Sequence, residues 1–288
     1  MFRRSKQRQG RPTLLVHFGD MHVGSKVSLC PPRVTQDDGG THTPSPLGLW
    51  YWDCWQRFWQ DTAELKAQHN AHCIGVCGGD ARDGDHHQTT QLWAANENDQ
   101  DRAVMQVLEV AEPVIDEWVF IRGTPAHDGV AAQANERYGQ QIEAKGHQVR
   151  RNGDLYSWWI WTAEVEGVRF EVAHAPGTKA WVPHTRGVAA ARHAQYTWTE
   201  YKESGIEPPD VVVRHHVHYW RGPGCEQNTC CFFVPAWQAA TNWVKGRGVT
   251  SATASSFQPG GLRILCENGT WRHFWKLYQT PSRVAWSQ

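Results

Sequence analysis

The pattern of apolar and polar positions divides the chain into short runs that read as strands and longer ones that read as helices. Residues 13–19, Thr-Leu-Leu-Val-His-Phe-Gly, form an apolar run that stops at Asp20, the pattern of a buried strand delivering polar residues at its end. Similar runs predict strands at 72–77, 118–122, 156–162, 168–173, 211–216 and 230–235, and helical spacing predicts helices at 49–68, 99–117, 129–145 and 186–203. In the first helix Trp52, Trp55 and Trp59 fall at i, i+3 and i+7 with charges on the other side, which favours core packing over base stacking. Early alternation of strand and helix gives way to strand-rich sequence. There, 261–267 and 271–277 flank Asn268-Gly269, a dipeptide tolerant of positive φ, which predicts a hairpin in a mixed sheet.

Between 25 and 46 the chain is rich in Gly, Pro, Thr and Asp, and a loop of that length is expected over the mouth of a site. With no internal repeat and no long linker, 13–288 reads as a single domain after a flexible basic tail, 1–12, which carries Arg3, Arg4, Lys6, Arg8 and Arg11.

Charge and cysteine usage narrow the function classes. Lys plus Arg (29) equals Asp plus Glu (29), so long-range attraction to nucleic acid or an acidic membrane cannot be argued from net charge. The basic tail lacks the apolar stretch of a signal peptide, and no run approaches the ~18 apolar residues that span a bilayer. The eight cysteines lack the paired spacing of a zinc site, so reduced thiols and a cytoplasmic protein with no membrane partner are expected.

The candidate chemistry lies at strand ends. Gly19-Asp20-Met21-His22 sets a carboxylate and an imidazole two residues apart; in extended backbone both point the same way and can grip one ion. Gly78-Gly79-Asp80-Ala81-Arg82-Asp83-Gly84 follows the next strand, its glycines permitting a sharp turn at Asp80. Arg122-Gly123-Thr124-Pro125-Ala126-His127-Asp128 lies between strand and helix, where Thr124 or Asp128 could equally cap that helix. His174 ends another strand. In Arg214-His215-His216-Val217-His218, alternation puts His216 and His218 on one side and His215 on the other. Taken one at a time, such histidines are more often buried, hydrogen-bonded core residues.

In this order the motifs resemble those of the calcineurin-like metallophosphoesterases over residues 14–218. The likeness is to phage and viral members through Gly-Ser-Lys at 24–26, Leu-Cys-Pro-Pro at 29–32 and Gly-Thr-Pro-Ala-His at 123–127. That resemblance implies a four-layer α/β/β/α sandwich with two mixed sheets and a metal site at the strand carboxyl ends, in the host cytoplasm if the chain is viral. It implies Asp20, His22 and His218 on a first metal, Asp80 bridging, and His174 with His216 on a second. The two divalent ions would be manganese first, with iron, zinc, nickel or magnesium as alternatives. Typical members carry Gly-Asn-His at the third motif; here Thr124 stands in place of the asparagine, and His127 lies two positions later than the family's histidine.

By the same resemblance the chain is expected to hydrolyse phosphate esters through a hydroxide bridging the metals. Asp80 and His127 are the catalytic residues, His127 donating a proton to the leaving group or contacting phosphate. Arg82, Arg122, Arg214 and Thr124 are candidates for the substrate phosphate. A phosphodiesterase or nuclease acting on DNA or nucleotides is the first expectation, with a small-molecule phosphomonoesterase and a catalytically weakened nucleic-acid binder as alternatives.

Overall fold

The computed structural model describes residues 10–86, 90–176, 188–242 and 257–280, together with the backbone of Arg3–Arg4. In chain order its elements are β1 (Arg3–Arg4), β2 (Thr13–Phe18), β3 (Val34–Thr35), β4 (Thr41–His42), α1 (Pro46–Gln68), β5 (His72–Cys77), α2 (Glu97–Glu109), β6 (Glu117–Phe120), α3 (Pro125–Asp128), α4 (Ala134–Ala144) and β7 (Gln148–Val149). They continue with β8 (Ile160–Val165), β9 (Val168–Ala173), α5 (Ala189–Glu203), β10 (Val211–Arg214), β11 (Arg221–Glu226), β12 (Thr229–Phe233), β13 (Gly260–Glu267) and β14 (Thr270–Leu277).

Two six-stranded mixed sheets form the centre, ordered β14-β13-β2-β5-β6-β7 and β1-β8-β9-β10-β12-β11. In the first, β2, β5, β6 and β7 run parallel while β13 pairs antiparallel with both β2 and β14. In the second, β10 lies parallel between β9 and β12.

The period of two along each strand sorts the apolar residues into three layers of core. From β2, Leu14, Val16 and Phe18 pack with Trp55 and Trp59 of α1, Leu108 of α2 and Ile142 of α4. Leu15 faces the other way and joins Val76, Phe170, Val172, Val213 and Phe232 between the sheets. Across the second sheet, Val212, Cys231 and Phe233 cover Ala190 and Ala194 of α5. The result is the expected α/β/β/α sandwich. Trp55 and Trp59 are core residues, as their spacing predicts.

Several boundaries differ from the sequence reading, for local reasons. The second helix stops at Glu109, not 117, because turns at 110–114 precede Asp116, whose side chain accepts from the Cys73 backbone N–H and sets up β6. The aromatic run at 156–162 contains only the start of β8. Its register follows the Glu166-Gly167 turn, where Val165 pairs with Val168. The helix expected at 129–145 is α4, which begins at Ala134 after a kink at Ala131, and the predicted start at residue 186 of the helix that becomes α5 lies outside the described residues.

Within the segment expected to be a free basic tail, the backbone of Arg3–Arg4 pairs parallel with Ala163–Glu164. The 25–46 stretch is pinned rather than loose: Arg102 of α2 donates to the Thr35 carbonyl and pairs with Asp37. Cys225 and Cys230, register partners on β11 and β12, form a disulfide, which corrects the expectation of reduced thiols throughout; the other six cysteines are free and buried. Among the described residues no helix is long and apolar enough to cross a membrane.

Candidate metal centre

The carboxyl ends of β2, β5, β9 and β10 meet at one edge of the two sheets. There the loops after β2 and β5 keep pairing beyond their strands: Asp20 N–H donates to the Gly79 carbonyl (2.9 Å) and His22 N–H to the Asp80 carbonyl (3.1 Å). The second sheet is stitched on by His215 N–H to the His174 carbonyl (2.9 Å) and His216 N–H to Asp20 Oδ2 (3.0 Å).

Asp20, His22, Asp80, His216 and His218 all have positive φ, between 47° and 68°. Side chains two apart therefore converge through left-handed turns, not through the extended alternation the sequence suggests. Strand β10 ends at Arg214, and Val217 N–H donates to the His215 carbonyl (2.7 Å) inside the turn that carries the last two histidines. Asp and His are among the residues that tolerate this conformation, which costs of order 1–3 kcal/mol elsewhere and collects at functional sites.

The side chains fall into two neighbouring sets. Asp20, His22 and His218 have donor atoms within 4.8 Å of one another, and so have Asp80, His174 and His216; Asp80 also forms a set with His22 and His127. All six residues that the sequence reading named as metal ligands are thus gathered at one place. In the first set His22 Nε2 lies 3.1 Å from His218 Nε2. In the second, His174 Nε2 lies 3.0 Å from Asp80 Oδ2 and 3.3 Å from His216 Nδ1.

Hydrogen bonds behind the rings fix their tautomers. A carbonyl can only accept, so His174 Nδ1–H donates to the Gly78 carbonyl (2.7 Å), and its Nε2 faces the cleft. Likewise His22 Nδ1 donates to Asp83 Oδ1 (3.0 Å), turning Nε2 toward His218. Asp20 Oδ1 is buried without a well-formed hydrogen bond, surrounded by His218 Nε2 at 3.4 Å, His22 Nε2 at 3.9 Å and His174 Nε2 at 4.0 Å. These donor atoms share one small space that a proton or a cation can occupy.

The electrostatics say the same. Burial works hardest against a charged His174, yet the Asp80 and Asp20 carboxylates outweigh it and raise its pKa to about 10. For His22, burial is again opposed, by Asp83 and the other carboxylates, and the pKa rises. Burial would push Asp20 and Asp80 up, but His174 leads the groups that hold both well below the usual carboxylate range. Without a metal the site keeps protons where a cation would sit, so the donor set fits divalent ions bound by carboxylate and imidazole.

Thr124 reaches the shared carboxylate twice, its N–H to Asp80 Oδ1 at 2.6 Å and its hydroxyl to the same oxygen at 3.0 Å. It makes no side-chain cap for α3. His127 Nδ1 donates to the Asp83 carbonyl (2.6 Å), and burial, joined by the charges on His22 and His86, lowers its pKa to about 4 against the pull of Asp80. The expected protonated acid is therefore a neutral ring with a bare Nε2.

The arginines expected on phosphate serve the scaffold. Arg82 is buried and pairs with Glu97 (2.7 Å) and Asp101 (3.2 Å), while its Nε donates to the His127 carbonyl (3.1 Å). Arg214 is buried against Glu171 on the α5 side of the second sheet. Arg122 bonds Ser157 Oγ (2.9 Å) and lies 5.3 Å from the Trp159 ring centre.

Sequence reasoning passed over Asp83, which holds His22, and Asp128, whose Oδ2 accepts from the N–H groups of Asp80 (3.2 Å) and Gly123 (2.9 Å) and from the Asn135 side chain (2.6 Å). Burial first, then the Asp80 charge, raises the Asp128 pKa to about 7. The spacing Asp80-x-x-Asp83 was a usable signal; Asp128 was marked only as a candidate helix cap. Beneath the site His215 is wholly buried, its ring so close to Gly78 that a Cβ there would meet ring atoms at 2.1–2.3 Å.

No family model matches the sequence, and no curated protein does. Among solved structures, Vps29 from Chaetomium thermophilum aligns over 95% of this chain and 100% of its own, at 11% identity and a TM-score of 0.40. That likeness is too slight to carry any statement about chemistry. The fold seen here is a mixed α/β sandwich whose strand ends gather histidine–aspartate groups able to hold metal ions.

Proposed function

We propose that the chain is a phosphoester hydrolase that uses two divalent metal ions and acts on phosphodiesters of DNA or nucleotides. Asp20, His22 and His218 would hold one ion, His174 and His216 the other, and Asp80 would serve both. The observation that carries this reading is the position of Asp80, whose carboxylate groups with His174 and His216 on one side and with His22 on the other. A pair of divalent ions supplies, when bound, neutralisation of phosphoryl charge and a nucleophile drawn from water near neutral pH.

The protein's own groups do the rest. Asp83 and the Gly78 carbonyl hold His22 and His174 in the tautomers that present Nε2. Thr124 holds the Asp80 carboxylate that His174 also meets, filling by hydrogen bonding the place of the asparagine ligand of typical metallophosphoesterases. His127, neutral and with Nδ1 tied to Asp83, offers Nε2 as a proton acceptor beside His22 and Asp80. Manganese is the first choice of metal. Support for a nucleic-acid diester comes from the basic segment before β2 and the phage-type motifs.

The test compares untagged wild type and Asp80→Asn on bis-p-nitrophenyl phosphate, p-nitrophenyl phosphate and single- and double-stranded DNA, with and without Mn2+. Metal-dependent cleavage of the diester and DNA is expected. Asp80→Asn should lower it at least about 10³-fold, beyond the cost of losing a single transition-state donor. Turnover of the monoester alone makes the chain a phosphomonoesterase. Two bound ions with no turnover make it a binder.

A further inference from the structure

We propose that Asp83, His86 and His127 form a third cation site, separate from the proposed pair, for a first-row divalent ion of the zinc class. Their donor atoms lie within 4.8 Å of one another. Asp83 Oδ1 is 3.7 Å from His86 Nε2 and 3.7 Å from His127 Nδ1, and the Asp83 carbonyl stands 2.6 Å from that same Nδ1. Tetrahedral coordination at ordinary bond lengths puts donor atoms roughly 3.3 Å apart, so the two 3.7 Å pairs close by about 0.4 Å while the carbonyl pair opens by about 0.7 Å. Two imidazoles, one carboxylate and one carbonyl oxygen are a borderline-soft donor set that favours zinc and its neighbours over magnesium or calcium.

The fold builds this arrangement. Gly84, at φ +70°, lies against the end of α3 so closely that a Cβ would meet the His127 carbonyl at 2.7 Å and the Ala126 carbonyl at 3.0 Å. No other residue lets the chain turn there and bring His86 onto His127, whose rings meet edge to face at 4.1 Å. Gln100 clamps the same turn by accepting from Gly84 N–H (2.8 Å), and Arg82 locks it to the His127 carbonyl (3.1 Å). Asp83 is itself buried, and its Oδ1 also accepts from Gln238 (3.3 Å).

The site is joined to the first metal set through one carboxylate, because Asp83 also holds His22. His127 also groups with His22 and Asp80, so a third ion competes for its ring with that grouping. A third ion takes the position of the proton on His127 Nδ1 and draws the ring toward His86, so excess zinc acts as an inhibitor through a residue outside the paired site.

The test counts Zn2+ per chain by native mass spectrometry on untagged full-length wild type, His86→Ala, His86→Gln and His174→Ala at one buffered free Zn2+ concentration. His86 is 16% exposed, and circular dichroism of both variants at 86 checks that the fold is kept. Wild type is expected to hold one ion more than either. Equal counts in wild type and both His86 variants overturn the proposal. Should the paired reading fail, the wild-type total falls below three and His174→Ala costs nothing, while the one-ion difference at His86 persists.

Discussion

The two halves of the proposed dinuclear site use the same donor types but are supported differently. Behind His22 stands a carboxylate, Asp83, and behind His174 a neutral carbonyl, that of Gly78. A charged partner raises the basicity of a ligating imidazole more than a neutral one does, so the first half should hold its ion more tightly. Asp80, fixed by Thr124 and backed by Asp128, would serve both ions and so leaves that ranking unchanged. The lesson is that the atoms behind the donors rank the two ions, and those atoms can be changed singly.

The largest effect should come from Asp83→Asn, studied in a His86→Ala background so that only the pair is counted. Removing the charge behind His22 is expected to weaken one of the two ions by about 10- to 100-fold, read by competition with a metal chelator. Equal weakening of both ions would erase the proposed ranking.

Next in size is a pH effect led by His174, with His22 raised in the same direction. His174 has a folded pKa of about 10 against an ordinary 6.5, so its protonation contributes stability that is fully present below 6.5 and is lost as pH rises toward 10. A bound ion replaces that proton. The gap in Tm between metal-loaded and metal-free protein should therefore widen from pH 7 to pH 9.5, measured by differential scanning calorimetry. A constant gap removes His174 from the ligands.

Smallest is Thr124→Val, which deletes the hydroxyl donor to Asp80 but keeps the backbone one. One hydrogen bond is worth roughly 0.5–1.5 kcal/mol, so diester turnover should fall about 2- to 12-fold. A loss as large as that of Asp80→Asn would give Thr124 a direct part in catalysis.

Much of the architecture was legible because it rests on period and length. Strands β5 and β9 span 72–77 and 168–173, as their apolar runs predict, and Asn268-Gly269 turns the final hairpin. The ligating residues were legible as types in order at strand ends. Their convergence was not, because it depends on left-handed backbone at Asp20, His22, Asp80, His216 and His218, and no hydrophobic pattern encodes the sign of φ. The fates of Arg82 and Arg214 were hidden for another reason: their partners, Asp101 and Glu171, come from distant elements, and only the assembled sandwich shows both charges already neutralised. The neutral state of His127 likewise follows from burial, which a lone motif does not reveal.

That backbone sign has a consequence for anyone randomising these codons. A saturation library at the five positive-φ positions is filtered twice, once by what the side chain can donate and once by whether the peptide tolerates the turn. Glycine and asparagine should survive as folded, inactive clones, whereas valine and isoleucine should vanish from the soluble fraction. Sorting first on solubility and then on turnover would separate the two demands residue by residue.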